Sequence, residues 1–597
     1  MDSDTIKKIP YGMSDYALIR RENYYYVDKT QLLKLLEDTG RYMFLIRPRR
    51  FGKSLSIAIM ESYYDAHYKN RFEELFKDTW IYDHPTSERG QFLVLVLNFS
   101  AVDPDSDKIE ASFLNLIKGN AVAFVEKYRD YLSSYRKMDY YSKLIEESGS
   151  ASDVLTNLLL ICKGAEQKFF MIIDEYDNFA NTILSTKGKD AYHELTRGAG
   201  FFRSFFNVLK SGTSRSDSPI TRSFITGVSP ITMDDVTSGY NIGKNVSLDP
   251  AFSRVMGFNR TDVIEMIEYY RQKELISHPT EYLLDIMTEW YGNYLFFEEY
   301  NEKLFNPDMI LYFLDNYISQ KKIPQKLIDK NVSIDYEKLK YLILIDQNRC
   351  KATNGNFDRL KEIIEKGEIS AEIQEGFPLE KLSSRENFIS LLFYFGLLTI
   401  KEPGVTDLLM QIPNETARRL FYDYIKEAYE DTDVFSMDVY TYNQLMKEMA
   451  LKGEWRPLLK YITGKMRESM SLRDLITGEK SIQAFLNVYL GLSNLYIIHT
   501  EKELNKGYVD IFADIIMEPF MARYEAIKYS YLLEIKYLKS GVKPTDDEAQ
   551  QLKTAAEEQL KRYSIDEKFR KNIDKTTLIK LVLIFSGHEE IYMEETE

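Results

Sequence analysis

The first third of the chain alternates short, wholly apolar runs with stretches of helical periodicity. Tyr42-Met43-Phe44-Leu45-Ile46 predicts a buried strand, followed by a glycine-containing loop and a helix from about Ser54 to His67. FLVLVLN at 92–98, FFMII at 169–173 and the segment 223–226 within RSFITGVSP predict three more strands. Strands that are apolar throughout, rather than alternating, are buried on both faces, so the pattern predicts a parallel sheet covered by helices. From about 255 to 475 the periodicity is mostly helical, as in Asp262–Lys273 and Tyr282–Trp290, with turns at 301–307 and 413–414. The remainder changes character again. A helix around 481–492 precedes strands at 508–517 and 529–538, then a helix from about 547 to 563 and the strand LIKLVLIF at 578–585. That order, αββαβ, predicts a separate small α/β domain.

Composition narrows the class. The 597 residues hold 77 Lys+Arg against 92 Asp+Glu, a net charge of −15, with 44% hydrophobic and 28% charged residues. These are globular values and exclude a mainly disordered or fibrous chain. Two cysteines, Cys162 and Cys350, build no disulfide framework and point to a reducing compartment. MDSDTIKKIP lacks the apolar core of a secretory signal, and the run LLFYFGLLTI at 391–400 is about half a bilayer span. The expectation is a cytoplasmic protein with no membrane partner. The acidic total excludes nucleic-acid binding by bulk charge but leaves local basic patches open.

The first strand runs into Arg47-Pro48-Arg49-Arg50-Phe51-Gly52-Lys53-Ser54. A phosphate loop needs Gly-Lys-Ser/Thr at a helix N-terminus, where backbone N–H groups and the helix dipole favour bound phosphate. Lys53 then reaches the β- and γ-phosphates of ATP and Ser54 ligates Mg²⁺, with Arg49, Arg50, Phe51 and Gly52 completing the nucleotide-binding loop. Gly-Lys alone is cheap, since Gly243-Lys244 and Gly464-Lys465 also occur; the position between strand and helix distinguishes this one. The full pattern asks for glycine at 47, where Arg47 stands before Pro48. A residue before proline is pushed to extended backbone, so the loop cannot open in the usual tight glycine turn. FFMII leads into Asp174-Glu175, where Asp174 completes the Mg²⁺ shell and Glu175 polarises the attacking water. Thr226 ends the next strand and reads either as a γ-phosphate sensor or as a structural hydroxyl. Arg222 and Arg254 read as arginine fingers or as ordinary surface charges.

RPRRFGKS, preceded by Val27-Asp28-Lys29-Thr30 and followed by IIDEYDNF and ITGVSPI, resembles the bacterial AAA-ATPase-like family over roughly residues 5–310. Arginine in place of the first glycine is part of that family's own pattern, and its members often carry a C-terminal PD-(D/E)XK nuclease-like domain. Asp28 also has a local reading, an N-cap with Gln31 at N3 opening a helix over 31–38.

A PD-(D/E)XK site needs Asp on one strand and Glu-x-Lys on the next, two carboxylates holding a divalent metal beside a phosphate and Lys orienting water. Asp510, in Gly507-Tyr508-Val509-Asp510, and Leu533-Glu534-Ile535-Lys536 fit that need. Glu534 and Lys536, two apart, share one face of a strand. Glu-x-Lys also arises freely, as at Glu166-Gln167-Lys168, and on a strand it often reads as no more than an exposed ion pair. By the resemblance, GEKSIQAFLNVYLGLS at 478–493 is the leading helix, Asp510 and Glu534 are metal ligands and Lys536 is the catalytic lysine. Gln559 and Tyr563, from a Q-x-x-x-Y motif, lie beside them. Glu479 and Gln483 both fit the leading-helix acid. Residues 501–597 hold 15 Lys+Arg and 20 Asp+Glu, a net of 15 − 20 = −5, so DNA contact would need a local patch such as Lys528, Lys536, Lys539, Lys543, Lys553, Lys561 and Arg562.

The expected architecture is α/β: a P-loop NTPase parallel sheet with helical lid and linker, plus a small C-terminal αββαβ restriction-endonuclease-like domain. The boundaries are 1–255 for the ATPase core, 256–330 for the lid, 331–475 for the linker and 476–597 for the nuclease-like domain. The expected function is an ATP-binding and ATP-hydrolysing protein coupled to a Mg²⁺- or Mn²⁺-dependent nuclease-like domain acting on DNA, in defence or mobile-element biology. The alternative is a nucleotide-switched sensor or scaffold whose C-terminal domain binds a partner without cleaving. A homo-oligomer or a separate protein partner fits either.

Overall fold

Strand β1 (Tyr42–Ile46) lies inside a five-stranded sheet rather than at its edge. With β2 (Leu93–Asn98), β3 (Phe169–Asp174), β4 (Ile220–Gly227) and β5 (Lys244–Asn245) the order is β2-β3-β4-β1-β5, and the neighbours run parallel. The structure is a computed structural model. It describes residues 5–105, 108–187, 189–196, 200–214, 218–231, 243–299, 302–324, 326–329, 332, 359–360, 362–363, 367–404, 407–421, 438–468, 478–491, 495–500, 514–519, 527–539, 545–564 and 576–596. The four expected strands are present, and all six residues of β3 are buried, which is why its run lacks polar alternation. The helix after the loop spans Lys53–Tyr64 and stops short of His67. Asp65 takes an extended backbone there, and its carboxylate accepts the His67 N–H and opens a 3₁₀ turn instead.

Helices cover the sheet. Lys53–Tyr64 buries Ile57, Met60 and Tyr64 in a core that includes Met43, Phe170, Ile172 and Phe224. Elsewhere in this unit Phe113 meets Phe99, Phe202 and Phe205 at ring separations of 5.2, 5.8 and 5.4 Å, edge to face. Such pairs add to plain area burial. They also account for part of the 14% aromatic content of the chain.

The chain divides into two compact units, one of residues 1–322, 327–356 and 370–414, the other of 323–326, 357–369 and 415–597. The helices Arg260–Gln272, Thr280–Tyr291 and Pro307–Gln320, expected as a lid, belong to the first unit. The expected linker 331–475 is not one body but is shared between the units, and it is not wholly helical. Its apolar run 391–400 is split: the helix Arg385–Tyr394 ends, Gly396 turns at φ 75°, and β6 (Thr399–Pro403) begins, pairing antiparallel with β7 (Leu408–Gln411). A run apolar throughout carries no period, so it concealed that change.

The second unit holds a sheet of order β12-β11-β10-β9-β8, from β8 (Tyr496–Thr500), β9 (Asp514–Pro519), β10 (Tyr529–Leu538), β11 (Thr577–Ser586) and β12 (Glu589–Thr596). Its helices include Glu479–Gly491 and Asp546–Tyr563, the latter opened by a Thr545/Glu548 capping box. Only β10 and β11 are parallel, with the helix Asp546–Tyr563 between them in sequence. The expected αββαβ order is extended by β8 and β12. The first is only five residues long, and the second reads EEIYMEET, an acidic strand at the sheet edge in which Met593 is buried.

Candidate functional site

Arg47, where a glycine is expected, has its side chain buried at 1% exposure. Its guanidinium donates to the carbonyls of Ile46 at 2.9 Å, Ser247 at 2.7 Å and Phe252 at 2.9 Å, and lies 4.6 Å from the Phe296 ring centre. The arginine therefore anchors the loop to the segment after β5, and burial lowers its pKa to about 10. The turn is made further along, by Arg50 and Gly52 at φ 69° and 91°. Gly52 has open space around a would-be Cβ, so the positive φ, not crowding, favours glycine there.

The helix Lys53–Tyr64 starts on Gly52. The Lys53 ammonium donates to the carbonyls of Arg47 at 3.0 Å and Pro48 at 2.9 Å. Burial pushes its pKa down to about 8, with Asp174 and Glu175 opposing. Ser54 Oγ donates to Asp174 Oδ2 at 2.8 Å, while Asp174 Oδ1 accepts the Glu175 N–H at 2.9 Å. Desolvation raises the Asp174 carboxyl, and the Ser54 hydrogen bond and Lys53 charge pull it back. Glu175 sits at φ 49° and accepts from the Asn178 amide. A serine hydroxyl on a buried carboxylate, beside a buried ammonium, is a donor set that suits Mg²⁺ and phosphate oxygens.

The other loop residues divide in role. Phe51 is 1% exposed and packs on Tyr294 and Phe296 at 4.9 and 5.4 Å, so its ring serves the core. Arg50 pairs with Asp308 of the helix Pro307–Gln320 at 3.3 Å. Arg49 lines a cavity of about 380 Å³ together with Gly52, Lys53, Ser54, Glu175 and Asn178. Its lining also includes Tyr25, Val27, Lys29, Met256, Phe258 and Met266. That volume is within the range of small-ligand sites.

Thr226 does not face this cavity: it is fully buried and its hydroxyl donates to the Leu45 carbonyl at 2.5 Å across β4 and β1. The structural reading of that threonine is the one the geometry gives. Arg222 is likewise structural, with Nε 2.5 Å from Glu88 and a 2.7 Å bond to the Gly40 carbonyl; it is buried, not a surface charge. Arg254 pairs with Glu302 at 2.7 Å. Asp28 is not the N-cap of the helix Gln31–Thr39, whose cap position is Thr30; its carboxylate accepts from the N–H groups of Thr30 at 2.8 Å and Trp80 at 2.6 Å. Sequence reading passed over Asp177, 2% exposed, which accepts from Ser229 N–H at 2.6 Å and ties the acidic turn to the end of β4. Its signal was an acid inside IIDEYDNF with no solvent-facing pattern around it.

In the second unit β10 carries Glu534 and Lys536, at 0% and 8% exposure. Lys536 Nζ lies 2.7 Å from Glu534 Oε1 and donates to Gln559 Oε1 at 2.8 Å. The expected trio of Glu534, Lys536 and Gln559 is thus brought together, by a strand and the helix Asp546–Tyr563. Among the described residues neither oxygen of the Glu534 carboxylate has a hydrogen bond of good geometry. A buried carboxylate held by an ion pair keeps lone pairs for a divalent cation. Asp510 lies outside the described residues, as does the Tyr563 side chain. The ladder register pairs Asp514 with Glu534 across β9 and β10. Gln483 is 1% exposed on the helix Glu479–Gly491, whose first residue is Glu479. Of the basic patch, Lys536 is engaged as described, and Lys553 lies within 4.0 Å of Glu557 and Glu594.

Among the described residues no helix is long and apolar enough to cross a membrane. Residues 10–237 match the family described as predicted AAA-ATPase, and residues 477–595 match the PD-(D/E)XK nuclease superfamily. An uncharacterized protein in the vnfD 5′ region of Azotobacter chroococcum mcd 1 is 26% identical over 259 residues, 43% of this chain and 44% of that protein. The chain thus matches less than half the length of that relative. The Aeropyrum pernix ORC1 protein, solved in complex with DNA, aligns over 68% of this chain and 93% of its own at 10% identity and a TM-score of 0.25. At that score the likeness carries no argument. The two family matches fall on the two sites built above: the match to the predicted AAA-ATPase family spans the phosphate loop and Asp174, and the match to the PD-(D/E)XK nuclease superfamily spans Glu534 and Lys536.

Proposed function

We propose that the protein binds and hydrolyses ATP with Mg²⁺ in its first unit, and that nucleotide state governs a metal-dependent phosphodiesterase site acting on DNA in its second. Defence against foreign DNA, or maintenance of a mobile element, is the setting this combination fits. What carries it is one chain with a Lys53/Ser54/Asp174 constellation in the first unit and a buried Glu534/Lys536 pair in the second.

In the first site Lys53 neutralises the phosphates, Ser54 and Asp174 hold the metal, Glu175 orients the attacking water and Arg49 approaches the phosphates from the loop. In the second, Glu534 holds a divalent ion with Asp510 or Asp514, and Lys536 orients water and stabilises charge developing on the phosphate. A bound divalent ion supplies Lewis-acid polarisation of phosphate oxygens at both sites.

The test is a cleavage panel of linear, circular and single-stranded DNA and of RNA, with Mg²⁺ or Mn²⁺, with and without ATP. Wild type should cut DNA, and Glu534→Ala should cut nothing while still hydrolysing ATP. Lys53→Ala should fail to bind ATP. One of Asp510→Asn and Asp514→Asn should match Glu534→Ala, which identifies the second carboxylate. Wild-type protein that cuts no nucleic acid under any of these conditions defeats the nuclease half. Nucleotide-dependent assembly without cleavage would then favour the sensor or scaffold.

A further inference from the structure

Four cationic side chains line the first-unit cavity; Arg49, Arg50 and Lys53 belong to the phosphate loop, and Lys29 does not. Lys29 comes from the stretch Val27-Asp28-Lys29-Thr30, in which Asp28 and Thr30 have structural duties. Asp28 accepts from two backbone N–H groups, and the buried Thr30 hydroxyl accepts the Ile81 N–H at 3.1 Å. Lys29 instead sends its ammonium to Asp262 Oδ2, 2.6 Å away. The two side chains are 20% and 17% exposed, sheltered yet reachable.

Asp262 is itself fixed. It is the N3 acid of a capping box on the helix Arg260–Gln272, and the same Oδ2 accepts the Asn259 N–H at 2.8 Å. One turn further, Met266 lines the cavity. The helix and the Lys29 segment are also packed together: Tyr25 meets the rings of Tyr269 and Tyr270 at 5.3 and 5.8 Å. The same cavity is lined by apolar side chains, among them Tyr25, Val27, Met256, Phe258 and Leu311.

The chemistry of a nucleoside triphosphate divides along the same line. Its phosphates suit the loop, with three cations and a helix N-terminus. Its nucleoside has flat apolar faces and, at the base edge and ribose, acceptors that need a donor. An ammonium has three hydrogens to give, and Asp262 takes only one direction.

Resting on the ATP-site reading above, we propose that Lys29 is the polar contact for the nucleoside half of the bound nucleotide. Asp262 positions that ammonium, so the helix Arg260–Gln272 is tied to whether a nucleoside is present.

Calorimetry on the full chain with two ligands, ATP and inorganic tripolyphosphate, tests this. Wild type should bind both, and Lys53→Ala should lose both. Lys29→Met should weaken ATP by on the order of 10- to 100-fold, the effect of one charge-assisted hydrogen bond, and leave tripolyphosphate within about twofold. Asp262→Asn, which can still cap the helix, should show a smaller loss confined to ATP. Equal losses for both ligands, or no loss of ATP in either variant, would overturn the assignment. Wild-type protein that binds neither ligand defeats the nucleotide reading itself, a result that cannot be mistaken for the failure of Lys29 alone.

Discussion

Ser54 Oγ donates to Asp174 Oδ2 at 2.8 Å although β4 separates the strands, β1 and β3, that lead to the two residues. Each is set by a different piece of backbone: Ser54 by the first turn of the helix Lys53–Tyr64, Asp174 by the last residue of β3. Their meeting defines a place for a hard cation beside the buried Lys53. Ser54→Ala should lower Mg²⁺-dependent ATP affinity by at least on the order of tenfold, and Asp174→Asn should lower turnover further because it removes the charge. Binding measured with Mg²⁺ and with EDTA checks this; the Ser54→Ala defect should shrink when metal is absent.

Arg47 stands where the general phosphate-loop pattern has glycine, so Arg47→Gly looks like a repair. The geometry says the reverse. The variant leaves the Ser247 and Phe252 carbonyls without their donor in a buried setting and opens a space beside Phe296. Charge-assisted hydrogen bonds contribute about 1.5–3 kcal/mol each, so the loss should be on the order of 3–5 kcal/mol. A thermal or urea unfolding curve of Arg47→Gly should therefore show lower stability than wild type, with or without ATP.

Cys162 is fully buried, and desolvation raises its thiol pKa from 9.0 to about 12. An acid whose folded pKa is raised favours the folded state below its unfolded pKa and loses that contribution as pH climbs through the folded one. Cys162 should thus resist iodoacetamide at pH 8 in native protein and react after denaturation. Its share of stability should be intact below about pH 9 and should fade between about 9 and 12. Mass-spectrometric alkylation at Cys162 across that pH range reports both.

The strands of the first sheet were legible because both of their faces are buried: a polar residue inside FFMII would have had nowhere to go. The phosphate loop was legible because Gly-Lys-Ser sits between a strand and a helix. Arg222 and Thr226 could not be placed from sequence, because a hydroxyl or guanidinium that bonds a distant carbonyl has no local signature. Asp514 was passed over for a related reason: its pairing with Glu534 is a matter of ladder register, which no local pattern carries. The role of Arg47 was hidden too, since its acceptors lie some 200 residues away in sequence.

Glu534 and Lys536 allow stability and chemistry to be separated. Glu534 is fully buried and Lys536 nearly so, and they lie 2.7 Å apart. Removing one partner of such a pair leaves an uncompensated buried charge, which costs about 3–5 kcal/mol, whereas replacing both by neutral groups of similar volume is often close to neutral. Lys536→Met alone should therefore destabilise the second unit strongly, and adding Glu534→Gln should recover much of the loss. Neither variant should support cleavage, because one lacks the lysine and the other lacks both groups. Unfolding curves for the two single variants and the double variant give the coupling, expected to be at least on the order of 1 kcal/mol. If the double variant is no more stable than Lys536→Met, the pair is not compensating charge in the folded protein. The burial of Glu534 would then have to be balanced by a cation, a conclusion that adding and removing Mg²⁺ during the same unfolding measurements would test directly.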